Sequence, residues 1–275
     1  MNWLQIKALF FNSFTREIRN KTLIFVFVLT IFILLIVNFG MNYMANTFLN
    51  EQLFTSLTQT KMYAFYIVIV FWNNILAALL GVSSVKADID NQIMFHLWSF
   101  PIKKIEYLVS RILGTWAIVL FYYIVSLVFA YIIFALTNKD FTFETGVLKS
   151  FLVSSLSMLA VVTFAVFYSL FLPKIIAFVT VFFTSFMVSS ANQYFAYSDS
   201  ASFKDMNVLK LVAMILNFIF PRVGNINSWA NSYLSSGTEL KLSIPFEIAH
   251  FLFTYTILLF ATWFILINKN VQDRD

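Results

Sequence analysis

Six long stretches of this chain contain no charged side chain. They are Thr22–Asn50, Met62–Val85, Ile112–Asn138, Ser150–Pro173, Ile175–Ser198 and Ile248–Asn268. Each is at least as long as the roughly 20 residues of helix that cross the hydrocarbon core of a bilayer. A helix is the expected form, because lipid offers backbone amides no hydrogen-bond partners. We therefore predict an all-α integral membrane protein forming a single transmembrane domain, with spans at residues 22–44, 62–85, 112–136, 150–172, 175–191 and 247–268.

The composition agrees with this prediction and excludes several kinds of site. Apolar residues make up 60% of the chain and charged residues 11%, whereas soluble domains are about 25% charged. The sequence contains no cysteine, which excludes disulfides, thiolate metal sites and iron–sulfur clusters. A cleaved signal peptide is not expected, because residues 1–21 are of mixed polarity and the first apolar run is too long for one.

The basic residues predict the orientation of the six helices. With six spans both termini lie on one side, and the short segments there carry eleven Lys and Arg residues, at Lys7, Arg16, Arg19, Lys21, Lys86, Lys103, Lys104, Arg111, Lys174, Lys269 and Arg274. The short segments on the other side carry three, Lys61, Lys139 and Lys149. By the positive-inside rule we expect both termini in the cytoplasm and the chain in the inner (cytoplasmic) membrane. We expect no nucleic-acid partner, since the basic residues are not gathered on one soluble face.

Two segments outside the spans also have apolar character. Residues 1–21 place an apolar stripe at three- and four-residue steps and cationic residues on the other faces, which predicts an interfacial helix; a soluble partner-binding helix is the alternative. The stripe consists of Trp3, Ile6, Phe10, Phe14 and Ile18. The long external loop 192–245 contains a second apolar piece, Leu211–Pro221, which is too short to span and is expected to be interfacial or re-entrant.

The chain lacks the motifs of several activities. Its six glycines are too widely spaced for the phosphate-binding Walker motif, so we expect no ATP site and no catalytic site within it. Glu247 and His250 lie three residues apart, which favours an interfacial ion pair over half of a metal site. No predicted span carries a charge at its centre, which argues against proton relays and voltage sensors. The adjacent amides of Asn73 and Asn74 are candidates for a substrate path, with interhelical hydrogen bonding as the alternative.

The cytoplasmic loop 86–106 predicts a short helix from about Ile89 to Phe100. Asp88 and Asp90 would stand at its start, where carboxylates accept hydrogen bonds from free backbone amides, and Pro101 would end it. One face is apolar, formed by Ile89, Ile93, Leu97 and Phe100 and widened by Met94, Phe95 and Trp98. Such a helix needs a surface to bury against, either the lipid or a groove on a soluble partner. After the proline, Lys103, Lys104 and Arg111 would hold the entry of the third span at the membrane surface.

This loop resembles that of the type-2 permeases of ABC exporters. Their pattern is E-x-x-x-G-x-x-x-x-L-x-S-x-P-[IV]-x-[RK], with a glycine–lysine pair six residues later. The matching positions here are Asp88, Leu97, Ser99, Pro101, Ile102, Lys104 and Arg111. Gln92 and Ser110 stand where the pattern has glycine. The family also begins with an amphipathic helix ending in a charged elbow, similar to "FTREIRNK", and has six spans with a membrane-dipping external segment between the last two.

The resemblance implies that the loop helix couples this chain to a separate ATPase subunit. It assigns that contact to Asp88, Asp90, Ile93, Phe95, Leu97, Trp98, Ser99, Pro101, Lys104 and Arg111. Two permease copies, or one and a homologue, would pair with an ATPase dimer that holds ATP and Mg²⁺, while this chain binds no cofactor or metal. The complex would export an amphiphilic substrate or work on an extracytoplasmic protein partner, as in metalloenzyme maturation. A membrane scaffold or anchor and an ATP-independent channel or carrier remain the alternatives.

Overall fold

The computed structural model describes residues 3–18, 21–48, 54–99, 102–137, 145–197, 207–234 and 243–268. Within these residues the chain forms ten helices and no strand. The helices are α1 (Trp3–Ile18), α2 (Lys21–Phe48), α3 (Phe54–Asp90), α4 (Ile93–Trp98), α5 (Lys104–Thr137), α6 (Thr145–Ser169), α7 (Lys174–Tyr197), α8 (Val208–Ile219), α9 (Val223–Ser232) and α10 (Ile244–Asn268).

Six of the described helices are long and apolar enough to cross a membrane. They are α2, α3, α5, α6, α7 and α10, and α8 with α9 would add a seventh span if that bent pair crossed as one. Each of the six coincides with most of one long uncharged run. The predicted all-α membrane protein is therefore confirmed at the level of an all-helical chain with six such helices.

Helix α2 exposes large apolar side chains and buries polar ones. On α2 the rings of Phe25, Phe32 and Phe39 are exposed, whereas Thr30 and Asn38 are buried. The hydroxyl of Thr30 hydrogen-bonds the hydroxyl of Tyr122 on α5. Soluble domains place large apolar side chains inside, so this pattern is that of helices surrounded by lipid.

The centre of the bundle is the contact between α3 and α6, which run in the same direction. Near their first turns the Tyr66 hydroxyl hydrogen-bonds that of Ser154. Further along, Gly81 lies so close to α6 that an added Cβ would stand 2.5 Å from the Cβ of Ala165 and 3.1 Å from the carbonyl oxygen of Val162. The first contact joins the N-terminal parts of α3 and α6, and the second joins residues further along both helices. The C-terminal ends of α3 and α6 therefore lie at the same end of the bundle.

The bent pair α8–α9 lies at the opposite end of the bundle. The two helices meet at 81°. An added Cβ at Gly224 would stand 2.5 Å from the carbonyl oxygen of Ser189, near the end of α7. Gly146, in the first turn of α6, lies against Tyr233, the residue that follows α9. Both ends of α9 therefore lie at the end of the bundle where α6 begins and α7 ends.

A buried polar network holds the bend in place. Arg222 Nη1 lies 2.8 Å from Glu247 Oε1, and Asn225 Nδ2 donates to Glu247 Oε2 at 2.8 Å. Asn192 of α7 donates to Asn217 of α8 at 2.8 Å and accepts from the amide of Gly224 at 3.0 Å. The ion pair of Glu247 at the start of α10 is thus made with Arg222 rather than with His250, because the bend brings the guanidinium to it.

The close approach at Gly81 gives a test of the α3–α6 contact. Replacing Gly81 by Ala forces two helix backbones apart, and we expect it to lower the free energy of unfolding by about 1–3 kcal/mol. Gly40 of α2 is the matched control, because an added Cβ there meets nothing within 4 Å; Gly40→Ala should stabilise its helix by up to about 1 kcal/mol. Thermal unfolding of the two purified variants measures both effects, and a loss of equal size in each would contradict the packing described.

Candidate functional site

The loop between α3 and α5 forms a short helix, but that helix begins later than predicted. α3 continues to Asp90, past the predicted end of its span at residue 85, and α4 occupies only Ile93–Trp98. The prediction of one helix from Ile89 was wrong, because the chain turns at Asn91 and Gln92. Gln92 has φ 57°, and a residue in this left-handed conformation commonly ends a helix. This is the position at which the resembled pattern has glycine.

Asp88 is the centre of a buried ion cluster. Its side chain is fully buried, with Arg16 Nη1 of α1 2.7 Å from Oδ1 and Arg111 Nη2 of α5 2.5 Å from Oδ2. The hydroxyl of Tyr107 donates to Oδ2 at 2.7 Å, and Arg16 Nη2 donates to the carbonyl oxygen of Ser84 at 3.1 Å. One carboxylate therefore joins α1, α3 and α5.

The structure places four residues differently from the sequence predictions. Asp88 and Asp90 lie in the last turn of α3 rather than at the start of the loop helix, and Asp90 instead faces Lys86 at 3.8 Å. Arg111 was expected at the membrane surface but is buried, because the carboxylate of Asp88 provides an ionic partner inside the bundle. Arg16 was expected on the cationic outer face of the first helix, yet it turns inward to the same carboxylate.

Lys104 connects α4 to the end of α10. Its Nζ donates to the carbonyl oxygen of Ile267 at 2.9 Å and to that of Leu266 at 3.4 Å. It also lies 4.3 Å from the centre of the Trp98 ring, a cation–π contact. The last carbonyls of a helix lack intrahelical donors and carry the negative end of its dipole. A residue predicted as a surface anchor is therefore the link between the loop helix and the last span.

The remaining predicted coupling residues are placed differently from one another. Ile93 and Ser99 are exposed, Trp98 is half-buried, and Met94 is buried in the core. The predicted apolar face is thus divided, since Met94 packs against the bundle while Ile93 faces outward. Pro101 and the side chains of Phe95 and Leu97 lie outside the described residues.

The two candidate amides lie within the bundle. Asn73 of α3 is fully buried, and the side chain of Asn74 is partly buried beside it. In the part of the chain that the structure describes, neither amide atom of Asn73 has a hydrogen-bond partner, and the same holds for Oδ1 of Asn74. Buried amides are usually bonded, so no described contact supports the interhelical alternative at Asn73.

Sequence reasoning missed the two side chains that complete the cluster, Arg16 and Tyr107. Arg16 is 72 residues from Asp88 in the chain, and no local spacing connects them. Tyr107 precedes Arg111 by one helical turn, and that spacing places both on one face of α5. That both side chains face Asp88 could be predicted only if the Asp88 carboxylate were known to be buried.

No protein-family model matches this chain, and no curated protein matches it. The function of α4 and the Asp88 cluster is therefore inferred from their own residues and geometry.

Removing the charge of Asp88 should destabilise the protein strongly. Asp88→Asn leaves two guanidinium groups facing a neutral amide, and breaking a buried ion pair on one side costs about 3–5 kcal/mol. The matched control is Asp90→Asn, because Asp90 is two residues away and 44% exposed, and its ion pair with Lys86 is 3.8 Å long; it should change the free energy of unfolding by no more than about 1 kcal/mol. Thermal unfolding in detergent measures both, and similar losses would contradict the buried cluster.

The left-handed turn gives a second prediction. Gln92→Gly removes the steric cost of φ 57° and should raise the free energy of unfolding by about 1 kcal/mol. Asn91→Gly, at the adjacent turn residue where φ is not positive, should produce no such gain. If denaturant unfolding shows Gln92→Gly to be the less stable variant, the left-handed turn is absent in the folded protein.

Proposed function

We propose that this chain is the transmembrane permease subunit of an ABC transporter and that α4 is its coupling helix. The observation that carries the proposal is the attachment of α4, a short helix between two long spans that is bound through Lys104 to the end of a third. A partner that displaces α4 would displace the spans with it. The chain has no Walker motif, so ATP and Mg²⁺ belong to a separate ATPase dimer.

Three routes lead from α4 into the bundle. The two-residue turn at Asn91 and Gln92 leads directly to α3, residues 99–103 lead to α5, and Lys104 leads to α10. The Asp88 cluster then ties the ends of α3 and α5 to α1. A force applied to α4 is therefore distributed over four helices, which is the property that a coupling element needs.

The proposed topology has six spans with both termini on one side, which the positive-inside rule assigns to the cytoplasm. Both ends of α9 lie at one end of the bundle, which favours α8–α9 as a re-entrant pair over a seventh span. Apolar side chains on α8, including Val208 and Leu209, are exposed while Asn217 is buried, as expected for a helix that dips into lipid. Helix α1 has a similar character, with Phe11 exposed and Leu9 buried, and suits the interfacial position predicted for it.

The cargo proposed for this permease is amphiphilic. The spans offer aromatic rings and weakly polar groups, and the buried amide of Asn73, which has no partner among the described residues, would bind a polar group of a substrate once the helices separate. Two copies, or one with a homologue, would enclose the path. Through the same coupling, ATP hydrolysis could instead drive work on an extracytoplasmic partner, including metalloenzyme maturation.

The test changes the outer surface of α4 in the assembled complex. Ile93 is exposed, and Leu97 lies one turn later in the sequence pattern; an Asp at either position should abolish ATPase binding or substrate-linked ATP hydrolysis while membrane insertion is retained. Phe171→Asp is the control, because Phe171 is an exposed apolar residue at the same end of the bundle, in the turn after α6. The ATPase rate of the reconstituted complex is the measurement.

Stimulation of the ATPase by Ile93→Asp and Leu97→Asp at the rate seen with Phe171→Asp would contradict the assignment of α4. Loss of insertion in all three variants would show a folding defect, and Ile93→Ser, which removes the apolar group without adding a charge, then replaces the aspartate at that position.

A further inference from the structure

A cavity of about 530 Å³ opens on the side of the bundle between α3, α5 and α6. Its lining includes Phe65, Tyr66, Val128, Phe134, Leu148 and Leu234. Tyr66 and Asp88 lie on the same helix, about 30 Å apart at about 1.5 Å per residue. The cavity is therefore at the opposite end of the bundle from the ion cluster and takes no part in the contacts described there.

The walls of the cavity are apolar and its mouth faces the lipid. The deep wall contains the edge-to-face pair Phe65 and Phe134, with ring centres 6.2 Å apart, and both rings are buried. Tyr66 presents its ring to the cavity, while its hydroxyl hydrogen-bonds Ser154. At the mouth, Val128 is 50% exposed and Leu148 is 56% exposed. Both stand on helices that are long and apolar enough to cross a membrane, so lipid is the expected medium outside the mouth.

A cation stands at the rim of this cavity. Lys149 follows Leu148 of the lining directly and is exposed. Its Nζ lies 5.7 Å from the centre of the Tyr233 ring, and Tyr233 precedes Leu234 of the lining. Trp229 Nε1 donates to the Tyr233 hydroxyl at 3.1 Å. Aromatic and basic residues grouped in this way mark the headgroup level of a bilayer.

We propose that this cavity is a lipid site that takes one acyl chain of an anionic phospholipid, with the phosphate at Lys149. The volume and apolar lining are those of small-molecule sites, which add a few polar groups to fix orientation. Lys149 gives the rim of the site its charge complementarity, because the ammonium group of lysine binds phosphate as a point charge. The site does not depend on the coupling function proposed for α4.

The test uses a phosphatidylglycerol with a photoreactive diazirine in its acyl chain. The full chain is reconstituted in phosphatidylcholine vesicles that contain this probe, and the crosslinked peptides are mapped by mass spectrometry. We expect label on the peptides of α3, α5 and α6 that line the cavity, and loss of that label in Val128→Trp and in Leu148→Trp, which fill the mouth. Val179→Trp is the matched control, since it makes the same exchange at a 43% exposed valine on α7.

The headgroup is tested at the rim. Lys149→Gln should reduce the preference for phosphatidylglycerol over phosphatidylcholine about fivefold, the effect of one lysine near an anionic headgroup, and Lys149→Arg should keep it. Lys210→Gln, at an exposed lysine on α8, should leave the preference unchanged. Competition between the probe and each unlabelled lipid gives the ratio.

Two results would overturn the acyl-chain site, and a third would overturn the phosphate contact. One is label spread evenly over the lipid-facing helices, with Val128→Trp and Val179→Trp indistinguishable. The other is crosslinking of two chains through Val128→Cys, which would show that a second copy covers the cavity; the natural sequence has no cysteine, so such a crosslink could come from no other position. A preference that survives Lys149→Gln would contradict the phosphate contact.

Discussion

The structure depends most on the pairing of one buried carboxylate, that of Asp88. A charge inside a membrane-embedded bundle is tolerated only when it is neutralised and hydrogen-bonded. Asp88 meets this condition with guanidinium groups from Arg16 and Arg111 and the hydroxyl of Tyr107. Because these partners stand on α1 and α5, the need to neutralise Asp88 fixes three helices at this end of the bundle. Lys104 extends the connection to α4 and α10.

The two ends of the bundle are therefore chemically distinct. At one end, ion pairs and a capped helix terminus join the loop helix to the spans. At the other, the Arg222–Glu247 network fixes the bent pair, and an apolar cavity opens on the side of the bundle. The close contact of α3 and α6 at Gly81 lies between them. Helices that are tied at the first end and packed tightly at the middle transmit a displacement along their length, because packed interiors deform little.

The parts of this fold that depend on the length of uncharged stretches could be predicted from the sequence. The parts that depend on contacts between residues far apart in the chain could not. The six membrane helices follow from uncharged stretches, since the thickness of the bilayer sets their length. The helices α3 and α5 continue past the bounds predicted for their spans, at residues 85 and 112, because pairing allows Lys86, Asp88 and Arg111 to be buried inside the bundle. Arg16, a partner of Asp88 that is 72 residues away, has no local signal. The turn at Gln92 lacks the glycine that commonly marks a left-handed residue, so the loop helix was expected but its start was not.

The central claim is that a separate ATPase acts on this chain through α4. Its most direct test is to purify the chain from its native membrane in mild detergent and to identify and quantify every protein that remains bound by mass spectrometry. The account predicts a subunit with a Walker motif, present in an amount equal to that of this chain. Repeated recovery of the chain alone, or with partners that bind no nucleotide, would contradict it.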